Sequence, residues 1–323
     1  MRLDTTSKHR NRPIHNSVRM LLAALLLIVG AIVLAACSSG EPAQQEKRAV
    51  PSASKAADGS AVSSDASAIR EELKQSAEAA AKPTGWSIAL KMDQELEENG
   101  QHSAMGMTSD GPVRREPLQM KQAIASEYGG KKSELETFLT ADGYYMHDLA
   151  SDDWTRMAKS VIPQVKETLS DYQIKPSVPL ERLASVADKL QRSMDSGNQI
   201  LYVYTGDGSD EGARAIIDDI LRGTFGGSAM TQEVEDSIAV EQFEYKQAID
   251  SQTKLPTKAS LKLGLTIELQ AGHRSSLSET LEVLYSKWND SSAIIVPEAA
   301  KNAQEVTPPT PEQLEEVDKL LGQ

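Results

Sequence analysis

Cysteine is nearly absent from this sequence, and aromatic residues are scarce. The 323 residues include one cysteine, and phenylalanine, tryptophan and tyrosine together make up 4%. One thiol cannot form an internal disulfide, so a hydrophobic core must hold the folded part together. Because aromatic residues are rare while 39% of the residues are hydrophobic, we expect that core to be mainly aliphatic.

Basic residues are outnumbered by acidic ones, 34 to 47, which gives a formal net charge of −13. Residues 1–36 hold five basic residues and one acidic residue, so their removal would leave a net charge of about −17. A surface this acidic repels phosphate backbones and anionic lipid headgroups. The composition therefore argues against nucleic-acid binding, and electrostatic attraction alone would not hold the protein at a membrane.

The sequence also lacks the motifs of common catalytic and nucleotide-binding sites. No Gly-x-Ser-x-Gly elbow, His-Glu-x-x-His helix or Gly-Lys-Ser/Thr loop occurs. Of His102, His147 and His273, only His147 has a carboxylate at metal-ligand spacing, the adjacent Asp148. Neighbouring residues on a strand point to opposite faces, so these two cannot chelate a metal together. We predict no catalytic site, no metal site and no cofactor.

The longest apolar run lies near the N-terminus and ends at the single cysteine. Basic residues precede an apolar stretch over 20–36, which closes with Leu-Ala-Ala directly before Cys37. These are the parts of a secretory signal, and with cysteine as the next residue the segment resembles a bacterial lipoprotein signal with its lipobox. The resemblance implies that residues 1–36 are removed as a signal peptide and that Cys37 is acylated. The protein would then be anchored in the outer leaflet of the cytoplasmic membrane, on its extracytoplasmic side. The alternative is an uncleaved signal anchor with an incidental cysteine.

Two further segments flank the predicted domain over 68–306. Residues 37–67 are rich in Ser, Ala, Glu and Lys and show no apolar period, which predicts a disordered tether behind the lipidated cysteine. Residues 307–323 begin with a Pro-rich linker, and Thr310 and Gln313 fit the start of a capped amphipathic helix. That helix either docks on the domain or binds a partner.

Within 68–306 the spacing of hydrophobic residues is typical of helices in some segments and of strands in others. Apolar residues at intervals of three and four predict a helix over 69–80. Over 86–96 apolar and polar residues alternate, as in a strand with one buried face. Short strands follow up to 157, helices fill the middle of the chain, and long alternating strands return over 238–285. This order predicts an α+β fold with an antiparallel sheet.

Three local predictions depend on weaker signals. Ser109-Asp110-Gly111-Pro112 predicts a turn between strands. The segment 293–296 predicts a short last strand. One apolar stripe predicts a single helix, and its members are Leu180, Leu183, Ala187, Leu190 and Met194.

The acidic segment 206–212 has three interpretations. It follows a predicted strand and opens a predicted helix, as a dinucleotide-binding loop does, but its third glycine is one place late and its acids would repel a pyrophosphate. Its carboxylates also fall at EF-hand calcium positions, although a strand rather than a helix enters. We expect the third interpretation, a helix N-terminus capped by Ser209 with Asp210 and Glu211 near the helix dipole.

Four short motifs, in this order and spacing, resemble a known family. They are Gly143 to Met146, Trp154 to Met157, Ile249 to Pro256 and Ile294 to Pro297. Over about 69–306 the chain resembles a family of Gram-positive lipoproteins of uncharacterised function, which is distantly similar to the LolA/LppX-like lipoprotein carriers. The resemblance implies a strongly curved antiparallel sheet, a half-barrel, with helices covering its concave face. In several such carriers the space between sheet and helices holds acyl chains.

A concave face of this kind would bind a hydrophobic ligand, a lipid or glycolipid, without catalysis. The candidate ligand-binding residues are Trp86, Ile88, Leu90, Met92, Met105, Met107, Leu263 and Leu265. The alternative is a protein-interaction or sensor module of the cell envelope, with a filled interior and another envelope protein as its partner. A cavity would favour the first hypothesis, and a filled interior would favour the second.

Overall fold

The computed structural model describes residues 65–306 except 99, 196, 227–228, 271 and 291. Cys37, the predicted signal peptide, most of the predicted tether and the predicted C-terminal helix lie outside these residues. The helices are α1 (Ala66–Ala80), α2 (Ile162–Glu167), α3 (Asp171–Ile174), α4 (Ser177–Ser185), α5 (Glu211–Phe225), α6 (Gln232–Ser237) and α7 (Glu298–Lys301). The strands are β1 (Gly85–Glu98), β2 (Gln101–Arg114), β3 (Gln119–Tyr128), β4 (Lys131–Leu139), β5 (Tyr144–Asp148), β6 (Asp153–Met157), β7 (Leu190–Met194), β8 (Gln199–Tyr204), β9 (Ala239–Asp250), β10 (Pro256–Gln270), β11 (His273–Ser286) and β12 (Gln304–Val306).

The twelve strands of the described residues form one sheet, in the order β12-β6-β5-β4-β3-β2-β1-β11-β10-β9-β8-β7. The sheet is curled but not closed, and helices cover its concave face, so the predicted α+β half-barrel is confirmed. Strand pairs are antiparallel except for β12, which runs parallel to β6. The sheet is therefore mixed rather than purely antiparallel, because the chain returns to the β6 edge after β11.

The long strand β1 lies near the middle of the sheet and shows why the alternating pattern is reliable. Its even-numbered positions from Trp86 to Leu96 are buried, and the odd-numbered positions from Lys91 onward are exposed. Met92 lies opposite Met107 on β2 and opposite Leu281 on β11. A shift of one residue would expose this whole apolar row, so the burial pattern fixes the register.

The predicted turn at Ser109-Asp110-Gly111-Pro112 is wrong, because β2 continues through these residues. A Cβ atom at Gly111 would overlap the carbonyl oxygen of Lys121 on β3. Glycine therefore allows the two strands to lie close together at this point, and Pro112 falls where the pairing of β2 with β3 is interrupted.

The single helix predicted over 180–194 is also wrong. The helix α4 ends at Ser185, and Leu190–Met194 forms the edge strand β7, paired with β8. Leu190 and Met194 are spaced by four residues, which satisfies both a helix face and every second position of a strand. Pairing with β8 decides between the two periods.

The end of the domain differs from the prediction as well. Residues 292–297 have no regular secondary structure, and the last strand is β12. At the other end, α1 begins at Ala66, inside the predicted tether, because the Asp65 carboxylate accepts hydrogen bonds from the backbone N–H groups of Ser67 and Ala68.

The acidic segment before α5 is a helix cap, but the capping residue is Asp210 rather than Ser209. Asp210 Oδ1 accepts from the Ala213 backbone N–H at 2.9 Å, and Oδ2 accepts from the Tyr204 hydroxyl. The Ser209 hydroxyl instead donates to Asp207 at 2.6 Å. Within the described part of the chain, no three His, Cys, Asp or Glu side chains come close enough together to hold a metal ion.

We expect Asp210→Ala to lower the free energy of unfolding by about 1–2 kcal/mol, the usual cost of losing an N-cap. The matched control is Asp207→Ala, which removes an exposed carboxylate that accepts hydrogen bonds from Ser209 and should change stability by less than about 0.5 kcal/mol. Urea unfolding followed by circular dichroism measures both. Equal effects of the two substitutions would contradict the assignment of the cap.

Candidate functional site

The helices over the concave face are linked by a partly buried ion cluster. Arg182 of α4 contacts Asp171 of α3 at 2.8 Å and Asp219 of α5 at 3.5 Å. The pKa of Asp219 is raised to about 6, mainly by burial and further by the nearby carboxylate of Asp171. The cluster fixes α5, whose apolar side includes the buried Ile216 and Ile220, over the sheet.

A cavity of about 210 Å³ lies between the sheet and the helices. The sheet contributes inward-facing residues of β1, β2, β3, β4, β5 and β11, and α5 and the 165–173 segment close the opposite side. Its apolar lining consists of Leu90, Met92, Met105, Met107, Met120, Ile124, Leu139, Val165, Leu169, Ile220 and Leu281. We call this space the inner cavity.

Four of the eight predicted ligand-binding residues line the inner cavity: Leu90, Met92, Met105 and Met107. Leu90 and Met92 are buried, whereas Met105 and Met107 are half-buried. Met105 and Met107 therefore lie where the cavity approaches the protein surface. Their flexible, polarisable side chains suit a wall that adapts to different apolar shapes.

The other four predicted residues, Trp86, Ile88, Leu263 and Leu265, are not part of the cavity wall. Each is at most 2% exposed. Trp86 packs on Trp288, with 5.7 Å between the ring centroids, and Leu263 and Leu265 lie on β10, against which α6 packs. At these positions the concave face is filled by the protein's own side chains.

One part of the cavity wall is polar, which the sequence analysis did not predict. The Ser109 hydroxyl donates to Gln122 Oε1, and Thr137 lies opposite Gln122 in the strand register. Gln122 Nε2 is buried and has no hydrogen-bond partner among the described residues. Burial raises the pKa of the neighbouring Tyr144 hydroxyl to about 12, so it stays protonated at neutral pH.

The second polar feature of the wall is Glu279 of β11, which is 1% exposed. Its Oε2 accepts a hydrogen bond from the Thr224 hydroxyl of α5 at 3.0 Å. Burial raises the pKa of Glu279 to about 7. A signal for this residue is present in the sequence, because Glu279 interrupts the inward-facing row of Leu277, Leu281 and Val283.

A larger hollow of about 460 Å³ lies on the opposite, outer face of the sheet. Charged side chains of both signs line it, and neighbours on the surface are paired, such as Lys91 with Asp93 at 3.0 Å. Exposed pairs of this kind are typical of a solvated sheet face. The inner cavity is the better candidate site, although it is smaller, because it encloses apolar surface.

The histidines of the described residues do not come together in one site. His147 Nε2 lies 2.8 Å from Asp152 Oδ1, and its ring stacks on Trp154 with centroids 4.4 Å apart. His102 lies 3.8 Å from Glu95 on the exposed surface. Across the described residues, no helix has both the length and the apolar character needed to cross a bilayer.

A family model described as "Family of unknown function (DUF6612)" matches residues 69–305. The chain belongs to this family. The match includes β1 to β11 and every residue that lines the inner cavity. No curated protein matches the sequence.

Among solved structures, the chain is similar to LprF from Mycobacterium bovis, with 14% identity, 72% of this chain and 97% of that chain covered, and a TM-score of 0.36. It is also similar to a putative outer membrane lipoprotein-sorting protein domain from Vibrio parahaemolyticus, with 11% identity, 74% and 97% covered, and a TM-score of 0.19. A third similar structure is the MucA/MucB complex of Pseudomonas aeruginosa, with 13% identity, 67% and 57% covered, and a TM-score of 0.21.

Proposed function

We propose that this DUF6612 protein is a lipid-anchored, extracytoplasmic lipoprotein that binds the hydrophobic part of a lipid or glycolipid in its inner cavity, without catalysing a reaction. The observation that carries the proposal is the cavity itself, with its apolar wall of sheet and helix residues. Apolar surface removed from water on binding contributes about 25 cal/mol per Å².

The size of the cavity supports a ligand that enters in part. Protein cavities of about 150 Å³ already hold an apolar molecule of the size of benzene, and the inner cavity measures about 210 Å³. Half-buried residues such as Met105 and Tyr128 stand at its edge, so the remainder of a longer ligand would extend past them. The alternative, a protein-interaction module, predicts a filled interior, and the cavity favours the ligand-binding hypothesis over it.

Lipid analysis of the full chain tests the proposal. The protein is isolated from membranes and its lipids are identified by mass spectrometry. We expect one lipid class to be enriched over its share of the surrounding membrane. If no lipid is enriched and apolar probes do not bind, the ligand-binding proposal is wrong.

Anchoring is proposed from Cys37 and the apolar run before it, and it has a separate test. We expect Cys37→Ala to abolish incorporation of a labelled fatty acid into the protein, because the thiol is the predicted attachment point. The wild-type chain, expressed and labelled in parallel, is the control. Fatty acid still incorporated by the variant would refute the anchor.

A further inference from the structure

Glu279 is a buried carboxyl group that faces an apolar cavity without a cation beside it. Among the described residues, its one hydrogen bond comes from Thr224, at 3.0 Å, and no Lys, Arg or His forms an ion pair with it. On β11 the next residue that faces the cavity is the apolar Leu281. A buried carboxylate normally has a counter-charge or several donors.

The strands on either side of Glu279 do not supply the missing donors. Leu263 of β10 and Gln94 of β1 lie opposite Glu279 in the register. Leu263 has no polar atom in its side chain. Gln94 Nε2 is buried and has no hydrogen-bond partner among the described residues, so it does not donate to Glu279. The carboxyl group therefore retains acceptor capacity on the side that faces the cavity.

A ligand with no polar group would leave the Glu279 acceptor without a hydrogen bond. A buried polar group without a partner is energetically unfavourable. We propose that the ligand carries a hydrogen-bond donor, a hydroxyl or an amine, which binds the carboxyl group of Glu279 inside the inner cavity, and that anionic amphiphiles are excluded. This inference rests on the proposed function, because it names the chemistry of the ligand that the cavity takes.

Charge explains the exclusion. Burial raises the pKa of Glu279 to about 7, so the group is ionised at pH values well above that. A fatty-acid carboxylate in the same cavity would bring two negative charges together in a medium of low dielectric constant. A hydroxyl or ammonium group would instead donate to Glu279, and hydrogen bonds to charged groups are stronger than those between neutral groups.

The test uses the full chain in lipid nanodiscs at pH 8.5, with radiolabelled decanol, decylamine and decanoate as probes in equilibrium dialysis. Binding to empty nanodiscs is subtracted. We expect decanol and decylamine to bind about tenfold or more tightly than decanoate. In Glu279→Gln, which keeps an acceptor for Thr224, this preference should fall several-fold, although burial of the decanoate charge still carries a cost of its own. The matched control Glu97→Gln removes an exposed carboxylate from β1 and should keep the preference.

The outcomes separate this inference from the function on which it rests. If none of the probes binds the wild type, the proposed function fails and the inference fails with it. If all three probes bind the wild type equally, the cavity binds apolar chains but Glu279 does not select them, and the inference alone is overturned. A preference that is unchanged in Glu279→Gln, or is lost in Glu97→Gln, overturns it as well.

Discussion

Replacement of Trp86 by alanine is expected to lower the free energy of unfolding by about 3–5 kcal/mol. The side chain is fully buried at the start of β1, opposite Val113 of β2. It contacts Trp288 at a centroid distance of 5.7 Å, and the guanidinium of Arg115 lies 5.3 Å from the centroid of its ring. Alanine would leave a cavity among these groups.

The substitution of Trp86 would also destabilise the end of α1. Arg115 also donates hydrogen bonds to the backbone carbonyls of Ala80 and Ala81, where α1 ends. The Arg115 guanidinium lies over the Trp86 ring. Removal of the ring would therefore weaken the hydrogen bonds that Arg115 makes to α1. The cost should therefore lie at the upper end of the range for a buried aromatic residue.

Two controls separate core packing from a role in the cavity wall. Trp86→Phe keeps a ring and removes an indole N–H that has no partner among the described residues, so we expect a smaller loss than with alanine. Met107→Ala shortens a half-buried side chain of the cavity wall and should cost about 1 kcal/mol. Urea unfolding by circular dichroism measures all three. A loss below about 1 kcal/mol for Trp86→Ala would show that this side chain is not part of a packed core.

The second large effect is a dependence of stability on pH that originates from Glu279. We expect the free energy of unfolding to fall by about 3 kcal/mol between pH 4.5 and pH 7, because each pKa unit corresponds to about 1.4 kcal/mol. Burial raises the pKa of this carboxyl group from 4.5 to about 7. In Glu279→Gln this contribution should be absent.

Stability falls with rising pH because the folded and unfolded states bind different numbers of protons. Between pH 4.5 and 7 the folded protein keeps the proton on Glu279, whereas the unfolded chain has released it. The folded state therefore binds more protons, and stability decreases as the pH rises through this window. The contribution is fully present below pH 4.5 and is lost once the pH exceeds about 7.

Asp219 also makes the protein less stable as the pH rises, but over a lower pH range, since burial raises its pKa from 3.8 to about 6. The measurement is therefore the difference between wild type and Glu279→Gln, taken by urea unfolding at several pH values from 4.5 to 8. Asp219 is present in both proteins and cancels. Parallel curves for the two proteins would contradict the assignment of a protonated, buried Glu279.

The fold could be predicted where a single strand or helix carries a complete pattern. The alternation over 86–96 predicted β1 because burial on one face is a local property of a strand. The 180–194 segment could not be assigned in this way, since the spacing of Leu190 and Met194 fits two periods. Its pairing with β8 is a contact that local sequence does not encode.

The site was predictable only in part, for the same reason. Alternation indicates that Trp86 and Leu90 face the same side of β1, but it does not indicate which of them packs on other side chains and which meets empty space. That depends on where Trp288 and α5 lie. Glu279 was visible as an acid in an apolar row, yet its partner Thr224 is 55 residues away in the chain and belongs to a different element.

Gly223 offers the most direct test of lipid binding in the inner cavity. It belongs to α5, which continues to Phe225, and it is part of the cavity wall. A Cβ atom at this position would meet the Ser170 Cβ and the Thr168 carbonyl oxygen at 3.9 Å each, an ordinary contact distance. Gly223→Ala should therefore fold, and either substitution should raise the helix propensity of α5 by up to about 1 kcal/mol; circular dichroism checks that both variants are folded.

The deciding measurement is the amount of lipid per protein, determined by mass spectrometry, for wild type, Gly223→Ala and Gly223→Leu isolated from membranes in the same way. If lipid occupies the inner cavity, the alanine variant keeps the wild-type amount, and the leucine variant loses the enriched lipid because its side chain fills the space. Equal lipid content in all three proteins would contradict lipid binding in this cavity.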